Sequence, residues 1–463
     1  MIRGSMYIIL GKEGDKMLKK IKRISANDIY YHSPVFMQHV FTSVYGYKLK
    51  RERYTELYRG ALRRYIRGGI AQKDLLLELM YHLKDNIEVY KNIRIDEKDL
   101  MKSFKRLPMT DKEDLWTERE ERSHKKGIIR ISTTSGTTGA NLVVYESEHD
   151  RARRMAFLDY IKYQNGVMPF SKRASFTEKE INRVNHNNKL WRYNITMKQM
   201  LYGARSMKPD NMKYVYESLA KFKPATLDGF TTSIHMVAKY MLRNGITADW
   251  NVQGIFPSSE MLLPHMKEDI EKAFRTTLID TYASSEGAPF IYGKPEGGYQ
   301  IGIETGLFEF FRKDHHIYEM VVTSYVNHAT PVVRYRIGDQ VEIESDAKYL
   351  NSFEDDITIT KIIGRGADFL YTTDGNKITS VISTWIVYGM EEIVSHIQFV
   401  QKTMNEFIIN IVVEDDFTKA DETVIRGKME RMLGKDIDVT FRYMSAIPKE
   451  RSGKTRMIIN EVE

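Results

Sequence analysis

Apolar residues recur at helical spacing through the first third of the chain. Between positions 51 and 69 they follow one another three or four residues apart, at Tyr54, Leu57, Tyr58, Ala61, Leu62, Tyr65 and Ile66. This spacing predicts a helix with one face in a core, ended by Gly68 and Gly69. A second stripe of the same kind lies in residues 74–83. Residues 1–106 are therefore predicted to be mostly helical.

Short β-type runs alternate with helical stretches after residue 107. We predict strands at residues 128–132, 142–145 and 277–280, and helices at residues 214–222, 234–242 and 266–274. Near the C terminus we predict a helix at residues 418–433 between β-type runs at 407–414 and 439–444. Alternation of this kind is typical of layered α/β proteins.

The chain is predicted to divide at residues 363–368, where Gly364 and Gly366 permit a change of direction. The predicted fold class is α/β. It has a large N-terminal multilayer α/β domain, residues 1–363, and a small, mobile C-terminal α+β domain, residues 364–463.

Composition narrows the possible chemistry. The 463 residues are 42% hydrophobic and 29% charged, which is ordinary for a globular protein. The absence of cysteine excludes thiolate nucleophiles, disulfides and thiolate zinc sites. No apolar run approaches the roughly 20 residues that span a bilayer, and the run at residues 7–10 is too short for a signal peptide. We therefore expect a cytoplasmic protein without a membrane span.

The charge of the chain is modestly positive. Seventy basic side chains against sixty-two acidic ones give +8, so no nucleic-acid partner is expected from charge alone. The predicted helix at 51–69 carries six arginines on its other face: Arg51, Arg53, Arg59, Arg63, Arg64 and Arg67. A solvated face explains them best, and a patch for a membrane or polyanion is the alternative.

A hydroxyl-rich glycine loop is the sharpest local signal. It comprises Thr134, Ser135, Gly136, Thr137, Thr138 and Gly139, between two predicted strands. The glycines allow successive N–H groups to point at one anion, and the hydroxyls add donors for phosphate oxygens. The loop is no Walker A motif, because no Gly-Lys-Ser/Thr follows. A plain hairpin turn is the alternative.

Residues 280–287 follow a predicted strand. Tyr282, Ser285 and Glu286 could stack on a base, contact a phosphate and hold Mg²⁺ at that strand end. A capped helix start is the alternative.

Residues 334–339 place Asp339 after a glycine, where a carboxylate suits the paired hydroxyls of a ribose. A turn that closes a hairpin explains the same residues.

Two further segments complete the set. Arg365 lies between two glycines in residues 364–368, and Lys454 follows Gly453 in the basic run 448–456. A lysine in such a run is commonly solvated surface.

Together and in this order, the five segments resemble the adenylate-forming superfamily of acyl-CoA synthetases, luciferases and peptide-synthetase adenylation domains. Their signatures T-S-G-T-T-G, Y-x-x-S-E, Y-R-x-G-D, G-R-x-x-D and G-K match in turn. Within that superfamily the chain resembles the phenylacetate–CoA ligase branch and its CapK-like proteins. This likeness rests on residues 107–112, 256–260, 331–339 and 452–456.

The resemblance implies a role for each candidate residue. Residues 134–139 would cover the β- and γ-phosphates of ATP, Ser285 would reach the α-phosphate and Glu286 would hold Mg²⁺. Tyr282 would lie against adenine, Asp339 would bind the ribose hydroxyls and Arg365 would lie nearby. Lys454 would contact both the substrate carboxylate and the α-phosphate.

The resemblance also implies a reaction. ATP and a carboxylic acid would give acyl-AMP and pyrophosphate, and CoA would then displace AMP, as in an AMP-forming acid–thiol ligase. An amine, or AMP transfer to a small-molecule hydroxyl, is the alternative to CoA. The expected partners are the acid, ATP and CoA, with a homodimer as the base-rate oligomer. Two positions depart from the pattern: Ala140-Asn141 replaces Pro-Lys, and Ala367 occupies the hinge.

Overall fold

Six helices form most of the N-terminal part of the computed structural model. The structure describes residues 26–133, 142–177, 181, 188–203, 206–207, 209–258, 262, 264–284, 286–365, 369–379, 386–387, 390, 393–413, 416–445, 447 and 458–462. The six helices are α1 (Ala26–His32), α2 (Val35–Arg53), α3 (Glu56–Arg67), α4 (Gln72–Asn86), α5 (Leu100–Lys105) and α6 (Lys112–Thr117). The largely helical character predicted for this region is therefore present.

The chain folds into two compact units. The first comprises the described parts of residues 1–53, 162–258 and 262–278, and the second those of 54–161, 259–261 and 279–463.

The first unit is built on a mainly parallel sheet. Its strands are β3 (Arg173–Thr177), β4 (Trp191–Asn194), β5 (Gln199–Gly203), β6 (Thr226–Phe230) and β7 (Gly254–Ser258), in the order β7-β6-β3-β5-β4 with β4 antiparallel. Its helices α8 (Met212–Phe222), α9 (Thr231–Arg243) and α10 (Pro264–Phe274) share one apolar core with these strands. All three helices lie within three residues of the predicted bounds, because their apolar stripes pack on the sheet.

The second unit contains an antiparallel sheet. Its strands are β8 (Thr281–Tyr282), β9 (Ile291–Gly293), β10 (Tyr299–Ile301), β11 (Gly306–Asp314), β12 (Ile317–Ser324), β13 (Tyr335–Ile343), β14 (Tyr349–Asn351) and β15 (Ile359–Arg365). They follow the order β14-β11-β12-β13-β15-β10-β9-β8. The hairpin of β1 (Ile128–Thr133) and β2 (Val143–Ser147) contributes Val144 to the same core. Helix α7 (Glu148–Gln164) follows β2 directly and begins in this unit.

The C-terminal residues form a separate small α+β domain with its own core. The hairpin of β16 (Phe369–Tyr371) and β17 (Lys377–Thr379) precedes a four-stranded mixed sheet. The sheet contains β18 (Val394–Gln401), β19 (Glu406–Val413), β20 (Asp438–Tyr443) and β21 (Ile458–Asn460), in the order β20-β19-β18-β21. Helix α11 (Lys419–Leu433) buries Ile425, Met429 and Leu433 in this core. The predicted fold class is confirmed, and the boundary at residue 363 stays a prediction.

The predicted helix at residues 51–69 is two helices. Helix α2 ends at Arg53, and α3 begins at Glu56 after an extended Thr55. The predicted end is confirmed, because Gly68 has a φ of 67° and caps α3. Leu57 and Ile66 were predicted in the core and are exposed, since only the tyrosine side of α3 faces α7.

The predicted strand at residues 277–280 is wrong. Leu278 makes only an isolated bridge to Ile255, and the strand lies at Thr281–Tyr282. The preceding residues have other partners: Leu278 N donates to the Glu271 side chain, and the Asp280 carboxylate accepts from Tyr299 Oη at 2.9 Å. The bond from Leu278 N uses a main-chain donor that a strand ladder would need.

In the described part of the chain, no helix is both long and apolar enough to cross a membrane.

Candidate active site

A tyrosine and an aspartate meet across the second unit's sheet. Tyr282 is in β8, and its hydroxyl donates to Asp339 Oδ2 at 2.6 Å. Burial raises the pKa of Tyr282 well above its usual range, and the carboxylate of Asp339 adds to that rise. The phenol therefore remains a protonated donor at every physiological pH. The two residues come from different predicted segments, 57 positions apart.

Asp339 lies just after a distortion in β13. Gly338 has a φ of 84°, a left-handed conformation that favours glycine. The turn that was the alternative for this segment is not formed, since β13 runs through it from Tyr335 to Ile343. Asp339 pairs with Arg365 across the antiparallel β13–β15 ladder. The structure thus brings Tyr282, Asp339 and the main chain of Arg365 together, and their roles towards a nucleotide stay predictions.

Glu286 lies half-buried in the segment after β8. Its carbonyl oxygen accepts from Asn327 Nδ2 at 3.4 Å. The next residue, Gly287, has a φ of 93°, and a Cβ there would lie 2.5 Å from the same amide nitrogen. Only glycine permits this close approach. The described residues from Ala283 to Phe290 form no helix, so the capped helix start does not account for this segment.

Arg154 fixes the main chain on both sides of Glu286 in the sequence. Its guanidinium, carried by α7, donates to Ser284 O at 3.3 Å and to Ala288 O at 3.0 Å. The same group lies over the Phe290 ring, 4.8 Å from the centroid. Burial lowers the pKa of Arg154, and nearby carboxylates, including that of Glu286, act against the fall. The sequence prediction missed this residue.

Asp150, one turn earlier on α7, fixes a second stretch of chain next to Glu286. Its carboxylate accepts from His328 N at 2.7 Å and from Ala329 N at 3.2 Å. These bonds hold the segment that supplies Asn327 to Glu286. Asp150 and Arg154 lie four residues apart, so they share one face of the helix. That spacing is visible in the sequence, but the contacts it serves are not.

Arg334, the first residue of its motif, anchors structure rather than ligand. It is buried and makes a bidentate ion pair with Glu309, both N···O distances being 2.9 Å. It also donates to the carbonyl oxygens of Lys105 and Leu107. Thr110 Oγ1 donates to Val333 O at 2.9 Å. Arg334 thereby ties residues 105–110 to the strand that carries Asp339.

The remaining candidates lie outside the described residues. They are Thr134, Ser135, Gly136, Thr137, Thr138, Gly139, Ser285 and Lys454, together with the hinge position Ala367. Their roles stay predictions.

Comparison with known proteins identifies the family. The chain is 35% identical to Protein CapK of Staphylococcus aureus over 452 residues, which cover 94% of this chain and 100% of that protein. The chain belongs to the CapK family. Residues 370–461 also match the family model described as the CapK C-terminal domain. That match covers most of the small domain described above.

Solved structures agree on the fold. Two crystal structures of a 2-hydroxyisobutyryl-CoA ligase in the postadenylation state are similar to this CapK-family chain. The complex with R3-HIB-AMP gives a TM-score of 0.53 and the complex with 2-HIB-AMP one of 0.51. Both are 16% identical and cover 84% of this chain and 88% of the ligase. The predicted CapK-like family is confirmed, and the solved structures show the same fold. Membership of the adenylate-forming superfamily and of its phenylacetate–CoA ligase branch stays a prediction.

Proposed function

We propose that this CapK-family protein activates a carboxylic acid by adenylation. The observation that carries the proposal is the contact between Tyr282 and Asp339, with Arg365 opposite Asp339 in the neighbouring strand. Three segments that the resemblance assigns to one nucleotide site therefore converge in the described structure. The 2-hydroxyisobutyryl-CoA ligase of the same fold was crystallised with acyl-adenylates, which supports the same chemistry here.

The proposed first step joins the acid to AMP. A carboxylate oxygen attacks the α-phosphorus of ATP, the bond from that phosphorus to the β-phosphate oxygen breaks, and pyrophosphate leaves. The carboxylate and the triphosphate repel each other, so the protein must supply positive charge and hold both reactants in line. No protein nucleophile is needed, which agrees with the absence of cysteine.

Asp339 and Tyr282 would hold the nucleoside. The Asp339 carboxylate accepts hydrogen bonds, so it suits the two ribose hydroxyls. Since the Tyr282 hydroxyl already donates to one oxygen of Asp339, it orients that carboxylate and places the phenol ring beside it. The ring then offers a face on which adenine can stack.

Glu286 would hold the Mg²⁺ that the family implies. Among the described residues, no group of three or more histidine, aspartate and glutamate side chains could hold a metal on its own. One half-buried carboxylate nevertheless fits, because Mg²⁺ often binds through one or two carboxylates and otherwise through substrate phosphates and water. When bound, the ion offsets the negative charge of the phosphates. The main chain of Glu286 is already fixed by Asn327, and Arg154 fixes its neighbours.

CoA is the proposed acceptor in the second step. Its thiol would attack the acyl carbon of acyl-AMP, and AMP would leave. The acid itself is proposed only as an aryl or other small carboxylic acid. A panel of acids scored by ATP-dependent pyrophosphate release tests the first step, and CoA-accelerated decay of the acyl-AMP tests the second. Absence of acid-dependent pyrophosphate release across a broad panel would contradict adenylation.

Replacing Glu286 with glutamine is expected to weaken ATP binding about tenfold in Mg²⁺ and to leave binding unchanged in EDTA. The amide keeps the shape of the side chain but loses the charge that a hard cation needs. Titration of each protein with ATP, with and without Mg²⁺, measures the effect. Glu296→Gln is the matched control, because Glu296 is exposed in a nearby turn. Equal losses in Mg²⁺ and in EDTA would assign Glu286 a structural role instead.

Replacing Arg154 with methionine is expected to raise the Mg²⁺ concentration for half-maximal activity about tenfold. The variant loses both bonds to Ser284 O and Ala288 O, so the Glu286 segment is no longer fixed. A Mg²⁺ titration of pyrophosphate release measures the shift.

Arg153→Met is the matched control for this variant. Arg153 lies on the same helix. It donates to Tyr325 O and to the carboxylate of Glu78. The hydrogen bonds of Arg154 go instead to Ser284 and Ala288. If both variants shift the Mg²⁺ titration equally, the effect comes from general loosening of α7 and not from loss of the bonds to Ser284 O and Ala288 O.

A further inference from the structure

Helix α2 presents an apolar stripe to solvent. Phe36, Val40, Val44 and Tyr47 are 65%, 47%, 64% and 57% exposed. At 100° per residue these four positions fall within an arc of about 80°, and they extend over about 16 Å of helix. We call these four residues the α2 stripe. A contiguous exposed apolar patch on a soluble protein is commonly an interaction surface.

The opposite side of α2 is fixed to the first unit. Gln38 is fully buried and accepts from Arg192 Nε at 2.6 Å. His39 Nδ1 accepts from Tyr193 N at 2.9 Å, and Tyr193 follows Arg192 on β4. A Cβ on Gly46 would come within 2.2 Å of the Asn194 side chain, so any other residue there would have to displace this buried amide. The helix cannot rotate to bury its stripe without breaking these contacts.

Basic residues continue the stripe at its C-terminal end. Lys48 and Arg51 are exposed on the same side, one turn beyond Val44 and Tyr47. Lys48 approaches Glu52 at 3.7 Å but stays largely exposed, at 71% of its side chain. In the sequence, four of the five residues at 19–23 are also basic, just before α1. An apolar strip that ends in positive charge is complementary to a surface of acyl chains with anionic head groups.

We propose that the α2 stripe lies on an anionic lipid surface, with Lys48 and Arg51 at the head groups. Four half-exposed side chains offer on the order of 400 Å², less than the roughly 800 Å² per partner of a standard stable protein interface. A nucleic-acid backbone would bind Lys48 and Arg51, but contact with three turns of apolar side chains would add little to its affinity. The proposed association is peripheral, with the stripe lying along the surface of the bilayer. This surface belongs to the first unit and is independent of the proposed adenylation.

Vesicle sedimentation of the full chain tests the proposal. We expect binding to vesicles of phosphatidylcholine with 30% phosphatidylglycerol, and little binding to phosphatidylcholine alone. The double variant Val40→Ser/Val44→Ser should weaken binding about tenfold or more. The double variant Lys48→Gln/Arg51→Gln should weaken it by about 30-fold at low salt and by much less at 0.5 M salt. Val424→Ser, at a 46%-exposed valine on α11, is the matched control and should bind like the parent.

Several outcomes would overturn the proposal. Failure of the full chain to bind the anionic vesicles would do so, as would unchanged binding by the serine double variant. If that variant instead turns a dimer into a monomer in analytical ultracentrifugation, the stripe is a contact between two copies. If binding to duplex DNA shows the same dependence on Val40 and Val44, nucleic acid is the partner. Acid-dependent pyrophosphate release should be the same in all these variants, so a failure here is distinct from a failure of the adenylation proposal.

Discussion

Replacing Lys454 with alanine is expected to lower acyl-adenylate formation by about 10²-fold or more. The resemblance places this lysine between the substrate carboxylate and the α-phosphate. Negative charge accumulates on the phosphoryl oxygens as the carboxylate attacks, so a cation at that point stabilises the transition state more than the bound reactants. Removing one such contact costs several kcal/mol in the activation free energy. Pyrophosphate release in a single turnover, with a cognate acid at saturation, measures the loss.

Lys435→Ala is the matched control for this variant. Lys435 is an exposed lysine of the same C-terminal domain, just after α11. It should keep parental activity. ATP affinity in Lys454→Ala should fall much less than the rate, because the missing contact matters most in the transition state. Parental pyrophosphate release by Lys454→Ala would contradict the assignment of this lysine.

Replacing Glu309 with glutamine is expected to destabilise the second unit by about 3–5 kcal/mol, the usual cost of breaking a buried ion pair. Glu309 is fully buried, and it binds Arg334 through both carboxylate oxygens. The glutamine leaves the guanidinium buried without its counter-charge. Thermal unfolding followed by circular dichroism should show the midpoint lowered by on the order of 10 °C.

Glu319→Gln tests whether burial is the cause. Glu319 pairs with Arg336 and Lys313 in the same sheet, and these two side chains are 45% and 49% exposed, so the loss should be at most about 1 kcal/mol. The double variant Glu309→Leu/Arg334→Met should recover much of the lost stability, since no unpaired charge remains. If Glu309→Gln and Glu319→Gln unfold at the same temperature, burial does not set the strength of this pair.

The helices and strands that could be predicted from the sequence are those set by the spacing of apolar residues within the element itself. Helices α4 and α11 were predicted from apolar spacing alone, because each buries one stripe and exposes the rest. The break at Thr55 could not be predicted, since the apolar spacing continues across it. The strand after α10 was misplaced, since residues 277–280 make only an isolated bridge at Leu278 and the paired strand begins at Thr281.

The same distinction separates the candidate site residues that the sequence suggested from those that it did not. Tyr282, Glu286 and Asp339 carry distinctive side chains at characteristic spacings, so the resemblance identified them. Arg154 was missed because it binds the carbonyl oxygens of Ser284 and Ala288, a group that every residue has. The residue types at those two positions therefore give no sign of the contact. The Arg334–Glu309 pair was also missed, since it requires knowing which strands of the sheet are neighbours.

The four-residue interval on α7 limits how this part of the gene can change in length. Arg154 holds Ser284 and Ala288, and Asp150 holds His328 and Ala329, so the pair fixes two separate stretches of chain. Inserting or deleting one residue between them would turn one of the pair about 100° away from its partners. A change in length here therefore turns one set of contacts away from its partners, whereas a point change between the two residues keeps the four-residue interval.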